Sequence, residues 1–123
     1  MKPVVSILVL FRDVHSAADF HVKFEDAGYV THSVTTEKDA DYCLKFFEVR
    51  MLFVEADGYT DYIKKVRRRF PALNIVVYRH SHTSIVLLRN YIQDEVVHPS
   101  TYPEIKEVVG RYLYKFNLRA QRN

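Results

Sequence analysis

Short apolar runs alternate along the chain with longer stretches whose apolar residues recur at helical spacing. "VVSILVL" (4–10), "RMLFVE" (50–55) and "NIVVYR" (74–79) read as buried strands, being short, apolar and rich in β-branched residues, and "EVVH" (95–98) reads as a further short strand. "YVTHSV" (29–34) reads as a half-exposed strand. Between them lie helical patterns. "SAADFHVKFEDAG" sets Ala17, Phe20, Phe24 and Ala27 on one face, with Ser16 as N-cap and Gly28 as C-cap. "TEKDADYCLKFFEV" (36–49) has a Thr cap and aligns Ala40, Cys43, Leu44 and Phe47. "YTDYIKKVRRRF" (59–70) aligns Tyr59, Tyr62, Ile63 and Val66, and "TSIVLLRNYI" (83–92) begins at a Thr83 or Ser84 cap. "YPEIKEVVGRYLYKFNL" (102–118) opens with Pro103 in its first turn and is the longest helix.

Strands and helices in strict alternation predict an α/β fold, a doubly wound five-stranded parallel sheet with helices on both faces. Its crossovers are right-handed. Ligand sites in such sheets form beyond the carboxyl ends of the strands. Phe11, Arg12, Asp13 and His15 follow the first strand. Glu55 and Asp57 follow the third, Arg79, His80 and His82 the fourth, and His98 and Pro99 the fifth.

Composition narrows the classes. The 123 residues suit one domain, with 117–123 a frayed basic tail, and 48% are hydrophobic, enough for a sizeable core. No apolar run is long enough for a membrane span, and the N-terminal run reads as a strand rather than a signal peptide. A single cysteine, Cys43, fits a reducing cytoplasm and a core position. Net charge is +3, too small by itself to imply nucleic acid. Neither a P-loop nor a GxGxxG motif is present, so no nucleotide cofactor is expected.

Alternation over residues 4 to 117, with "RMLFVE", "ALNIVVYR" after "RRRFP", and "EVVHPS", resembles a response-regulator receiver domain of flavodoxin-like (βα)5 fold. The resemblance implies a magnesium-binding acid pair after the first strand, which here falls on Phe11 and Arg12, or on Arg12 and Asp13 after a one-residue shift. The phosphoacceptor aspartate falls on Glu55, or on Asp57 if the strand runs longer. The hydroxyl residue ending the fourth strand falls on Arg79, and the fifth-strand lysine on His98. The proline is kept as Pro99, usually joined by a cis peptide, and the stretch from Arg79 to His98 is a few residues short.

Magnesium needs several oxygen ligands, and phosphoryl transfer to a carboxylate needs the cation. Phe11 offers no ligand and Arg12 brings positive charge. These replacements imply an atypical pseudo-receiver, not an enzyme, that acts by protein contact without aspartate phosphorylation. Glu55 would pair with Arg79 or Arg12, imitating a phosphorylated aspartate held by its metal. Its partner would be another protein or a second copy. That partner would be met through the fourth helix, fifth strand and fifth helix, with Leu88, Tyr91, Ile92, Tyr112, Leu113 and Phe116 as the apolar face. The alternative is a phosphorylatable regulator using Asp57 or Glu55. Further alternatives are nucleic-acid binding through Lys64, Lys65, Arg67, Arg68 and Arg69, and metal or pH sensing by His15, His80, His82 and His98. The first is weighed against a solvated helix face, the second against an ordinary polar rim.

Overall fold

In a computed structural model, which describes the backbone of residues 1–122 and the side chains of residues 1–113, the chain forms one five-stranded parallel sheet. In chain order the elements are β1 (Val4–Leu10), α1 (Val14–Asp26), β2 (Thr31–Val34), α2 (Glu37–Phe46), β3 (Glu48–Glu55), α3 (Thr60–Arg69), β4 (Asn74–His80), a 3-10 segment (Val86–Tyr91), β5 (Asp94–His98) and α4 (Tyr102–Arg122). Strand order is β2-β1-β3-β4-β5. The order reverses between β1 and β3, so the crevice beyond their carboxyl ends is where such sheets bind ligands.

Side-chain alternation divides the core into two layers. Leu8, Leu10, Leu52, Val54, Ile75 and Val77 face α2, α3 and the 3-10 segment, with Ile63, Val66 and Leu88 among the residues that cover them. Ile7, Val9, Phe11, Met51, Phe53, Val76 and Val96 face α1 and α4, against Phe20, Phe24, Ile105, Val109 and Leu113. Burial of the central strands on both faces is why their sequences are apolar without a break. Cys43 packs in the first layer, and burial pushes its thiol pKa up.

Two expectations about helix ends change and one holds. The N-cap of α1 is Asp13 rather than Ser16. Asp13 accepts hydrogen bonds from the Ser16 amide at 3.1 Å and the Ser16 hydroxyl at 2.8 Å, so Ser16 supports the cap from within the first turn. Thr36 caps α2 as expected, accepting from the Asp39 amide at 3.1 Å. Ala27 is the C-cap of α1, and Gly28 follows it with φ +95°, the left-handed position that glycine adopts without a steric cost.

The fourth helix does not form over 83–92. Only Val86–Tyr91 is helical, and it is a 3-10 turn with Leu88 N–H donating to Ile85 C=O. Carbonyls at its two ends are satisfied by side chains from elsewhere. Arg79 Nη1 donates to Thr83 C=O at 3.2 Å, and Arg67 Nε to Tyr91 C=O at 2.9 Å. With carbonyls at both ends of the stretch held by arginines from other elements, the segment closes with the shorter ladder.

Candidate functional site at the carboxyl edge of the sheet

Phe11 follows β1 and lies inside the core, only 2% exposed and stacked on Phe53 at 5.6 Å. It is therefore a packing residue at the position where the resemblance asks for a metal ligand. Asp13 is committed to its cap. Its hydrogen bonds with Ser16, first through the hydroxyl and then the amide, hold its carboxyl below the ordinary aspartate value.

Between them, Arg12 meets Glu55 across the β1–β3 crevice. The Arg12 amide donates to Glu55 Oε1 at 2.5 Å, and Arg12 Nε lies 3.9 Å from the same oxygen. The Arg12 side chain runs over Gly58, which has φ +87°. Glu55 and Arg12 act with opposite sign on the Tyr59 hydroxyl, whose pKa burial raises. Tyr59 in turn donates to Thr35 C=O at 2.6 Å.

Arg79 does not pair with Glu55. It pairs with Glu95, with Nε 2.9 Å from Oε2. The pleat explains this. Glu55 is in register with Tyr78, so both project on the α1 and α4 side, and Arg79 projects on the other. Val77 is in register with Glu95, which places Glu95 on the Arg79 side of the neighbouring strand. Asp57 also has a partner, since its Oδ1 accepts from the Thr83 hydroxyl at 3.1 Å.

His80 and His98 are in direct register, and their rings lie 4.9 Å apart. His82 stacks on His80 at 5.7 Å, and the Tyr78 hydroxyl is 2.5 Å from His98 Nδ1. His15 joins no such contact among the described residues; its amide donates to Asp13. Among the described residues no group of three or more His, Cys, Asp or Glu side chains is arranged to hold a metal ion. The peptide between His98 and Pro99 is cis.

The apolar residues expected on the fourth and fifth helices divide. Leu88 and Leu113 are 2% and 1% exposed, so they are core rather than surface. Tyr91, Ile92 and Tyr112 are half-buried against the same core layers, and the Phe116 side chain lies outside the described residues. The turn of the 3-10 segment instead exposes Val86 and Leu87, at 64% and 80%. Sequence periodicity missed this pair because it assumed an α-helical repeat.

The basic stretch of α3 is not one solvated face either. Arg67 turns inward to the carbonyls of Tyr91, Phe70 and Pro71, Lys64 lies over the Tyr91 ring, and Arg69 pairs with Asp41. No helix among the described residues is long and apolar enough to cross a membrane.

No family model matches this chain, and no curated protein matches it. Solved structures do. A response regulator receiver domain protein from Clostridium thermocellum superposes with a TM-score of 0.79 at 10% identity, over 94% of this chain and 98% of the other. The signal receiver domain of a Luxo repressor protein from Vibrio parahaemolyticus gives 0.79 at 14% identity, over 98% of both. NtrX from Brucella abortus, solved with ADP, gives 0.80 at 18% identity over 96% of this chain, which spans only 28% of its length. What is shared at such identities is the architecture. The chain has the flavodoxin-like receiver fold.

Proposed function

We propose that this chain is a receiver-fold signalling domain that works by docking to a protein partner, without phosphoryl transfer to its own carboxylates. The observation that carries this reading is the Arg12–Glu55 contact. A cation and an aromatic core residue occupy the strand end where magnesium ligands are needed, and Asp13, the remaining acid, is spent on a helix cap. Glu55 reaches one carbon further than an aspartate and already accepts from the Arg12 amide, with the Arg12 guanidinium 3.9 Å away, as a phosphoryl oxygen would meet an amide and a cation.

Docking would use the surface of the 3-10 segment, β5 and α4, with Val86 and Leu87 as its exposed apolar contacts. The occupant is a protein partner or a second copy, in a reducing cytoplasm. Beryllofluoride with magnesium, followed by backbone amide NMR, tests the reading. No saturable shift is expected at residues 55–58 or 79–83, and such a shift would overturn it.

A second reading rests on the Thr83–Asp57 hydrogen bond, which sets a hydroxyl beside a half-exposed acid. It makes Asp57 a phosphoacceptor. Acetyl phosphate with magnesium would then leave a covalent adduct at Asp57, which the preferred reading excludes.

A further inference from the structure

The loop that follows β4 encloses a cleft of about 250 Å³, whose walls come from Arg79, Ser81, His82, Thr83, Ser84 and Arg89, with Ile85 and Val86 beside them. Its composition is one-sided. Two guanidinium groups, an imidazole and three hydroxyls line it, and no carboxylate does. The nearest acids are already engaged. Glu95 holds Arg79 from the β5 side, and Asp57 accepts from Thr83.

Arg79 is fixed by Glu95 and by the carbonyls of His80 and Thr83, so it forms a rigid wall rather than a mobile surface charge. Arg89 is the opposite case. It is exposed, lines the cleft, and has no ion pair or hydrogen bond among the described residues. The Ser81 and Ser84 hydroxyls beside one uncommitted guanidinium are donors of the kind that recognise a phosphate oxyanion. The volume is below the roughly 300–1,000 Å³ of pockets for drug-sized ligands, so only a small group fits. An adjoining cleft of about 190 Å³ shares Ile85 and Arg89 and adds Ile92 and Gln93, together with Asp94 and Glu95, whose carboxylates pair with Arg111 and Arg79. An apolar substituent on the anion would meet Ile85 and Ile92 there.

We infer that this cleft binds a phosphate monoester carrying a small apolar group, with Arg89 as the principal charge partner. The site is separate from the Arg12–Glu55 contact and does not depend on the docking reading above.

The test is backbone amide NMR of the whole chain during titration with phenyl phosphate and, separately, with inorganic phosphate. Sodium chloride at matched ionic strength is the control. Saturable shifts at residues 79–89 are expected, with phenyl phosphate binding more tightly than phosphate. Arg89→Ala should weaken binding about tenfold, the loss of one charge-assisted hydrogen bond. Its melting temperature should be unchanged, because the side chain is exposed and makes no ion pair or hydrogen bond among the described residues. Arg68→Ala removes the same charge from α3 and should leave binding as it was. Equal weakening by both variants would reduce the effect to net charge and overturn the inference. So would shifts reproduced by chloride, tighter binding of inorganic phosphate, or no saturable shift at 79–89.

Discussion

Arg12 lies across Gly58 so closely that a Cβ on the glycine would come within 2.8 Å of Arg12 Cδ. Gly58 also has φ +87°, where a side chain is strained. The turn after β3 and the cation at the end of β1 are therefore one unit. Gly58→Ala should cost about 1–2 kcal/mol, read from the urea midpoint. It should also displace the Arg12 side chain and shift the Glu55 amide environment in NMR spectra. A stability loss without any change at Arg12 or Glu55 would mean that the strain alone acts and the two residues are not coupled.

The Arg79–Glu95 pair ties β4 to β5 at a site where both side chains are about a fifth to a third exposed. Removing the arginine leaves the carbonyls of His80 and Thr83 as well as Glu95 without their donor. Arg79→Met should therefore cost about 2 kcal/mol, and Glu95→Gln about 1 kcal/mol. The double variant should lose less than the sum, with a coupling of about 0.5–1 kcal/mol. Additive losses would show that the pair contributes nothing beyond its separate contacts.

Much of this architecture was legible in the sequence, and the misses have definite causes. Strand identity followed from apolar runs such as Met51–Val54, because a doubly covered strand has no polar face to interrupt it. The Glu55–Arg79 pairing failed on parity. Counting alternation from Val54 and Val77 places the two side chains on opposite faces, whereas Arg12 lies past the end of β1, outside the pleat, and reaches Glu55 with its amide and Nε. The missing fourth helix could not be read locally. "TSIVLLRNYI" has helical periodicity, and what overrides it are arginines at positions 67 and 79, brought in by tertiary structure. Asp13 and Ser16 are both good caps, and local sequence alone does not rank them.

Alkaline pH should unfold the protein through its tyrosines. Tyr59, Tyr62, Tyr78, Tyr102 and Tyr112 all have raised pKa values, with burial the leading cause in each. The folded state therefore holds these phenolic protons more tightly than the unfolded chain, where tyrosine titrates near pH 10. Their contribution is complete below about pH 10 and is lost as pH rises from there through the folded values. The urea midpoint should fall steeply above about pH 10 and be flat in tyrosine ionisation below it. Tyr62, whose hydroxyl donates to Asp41 at 2.6 Å, is shifted most, so Tyr62→Phe should flatten the fall. An unchanged slope in that variant would assign the alkaline loss to other groups.

Arg67 is the strut on which the 3-10 segment rests. Nη2 donates to Gln93 Oε1 at 2.6 Å, and that oxygen also accepts from the Ile75 amide at 2.6 Å. Nε and Nη1 reach Tyr91 and Pro71 carbonyls, both at 2.9 Å. One side chain thus joins α3, β4 and the entry to β5, and its burial lowers its pKa. Arg67→Met keeps much of the packing and removes every donor. A loss of about 2–3 kcal/mol is expected, because several carbonyls in a part-buried site lose their partner together. Arg68→Met, one residue along on the exposed side, should change stability by less than about 0.5 kcal/mol. The decisive measurement is where the loss falls. If Arg67 holds the segment, amide hydrogen exchange in Arg67→Met should rise first at residues 85–93, while β1 and β3 stay protected. Uniform acceleration through the sheet would instead make Arg67 an ordinary contributor to global stability, and the 3-10 geometry would need another cause.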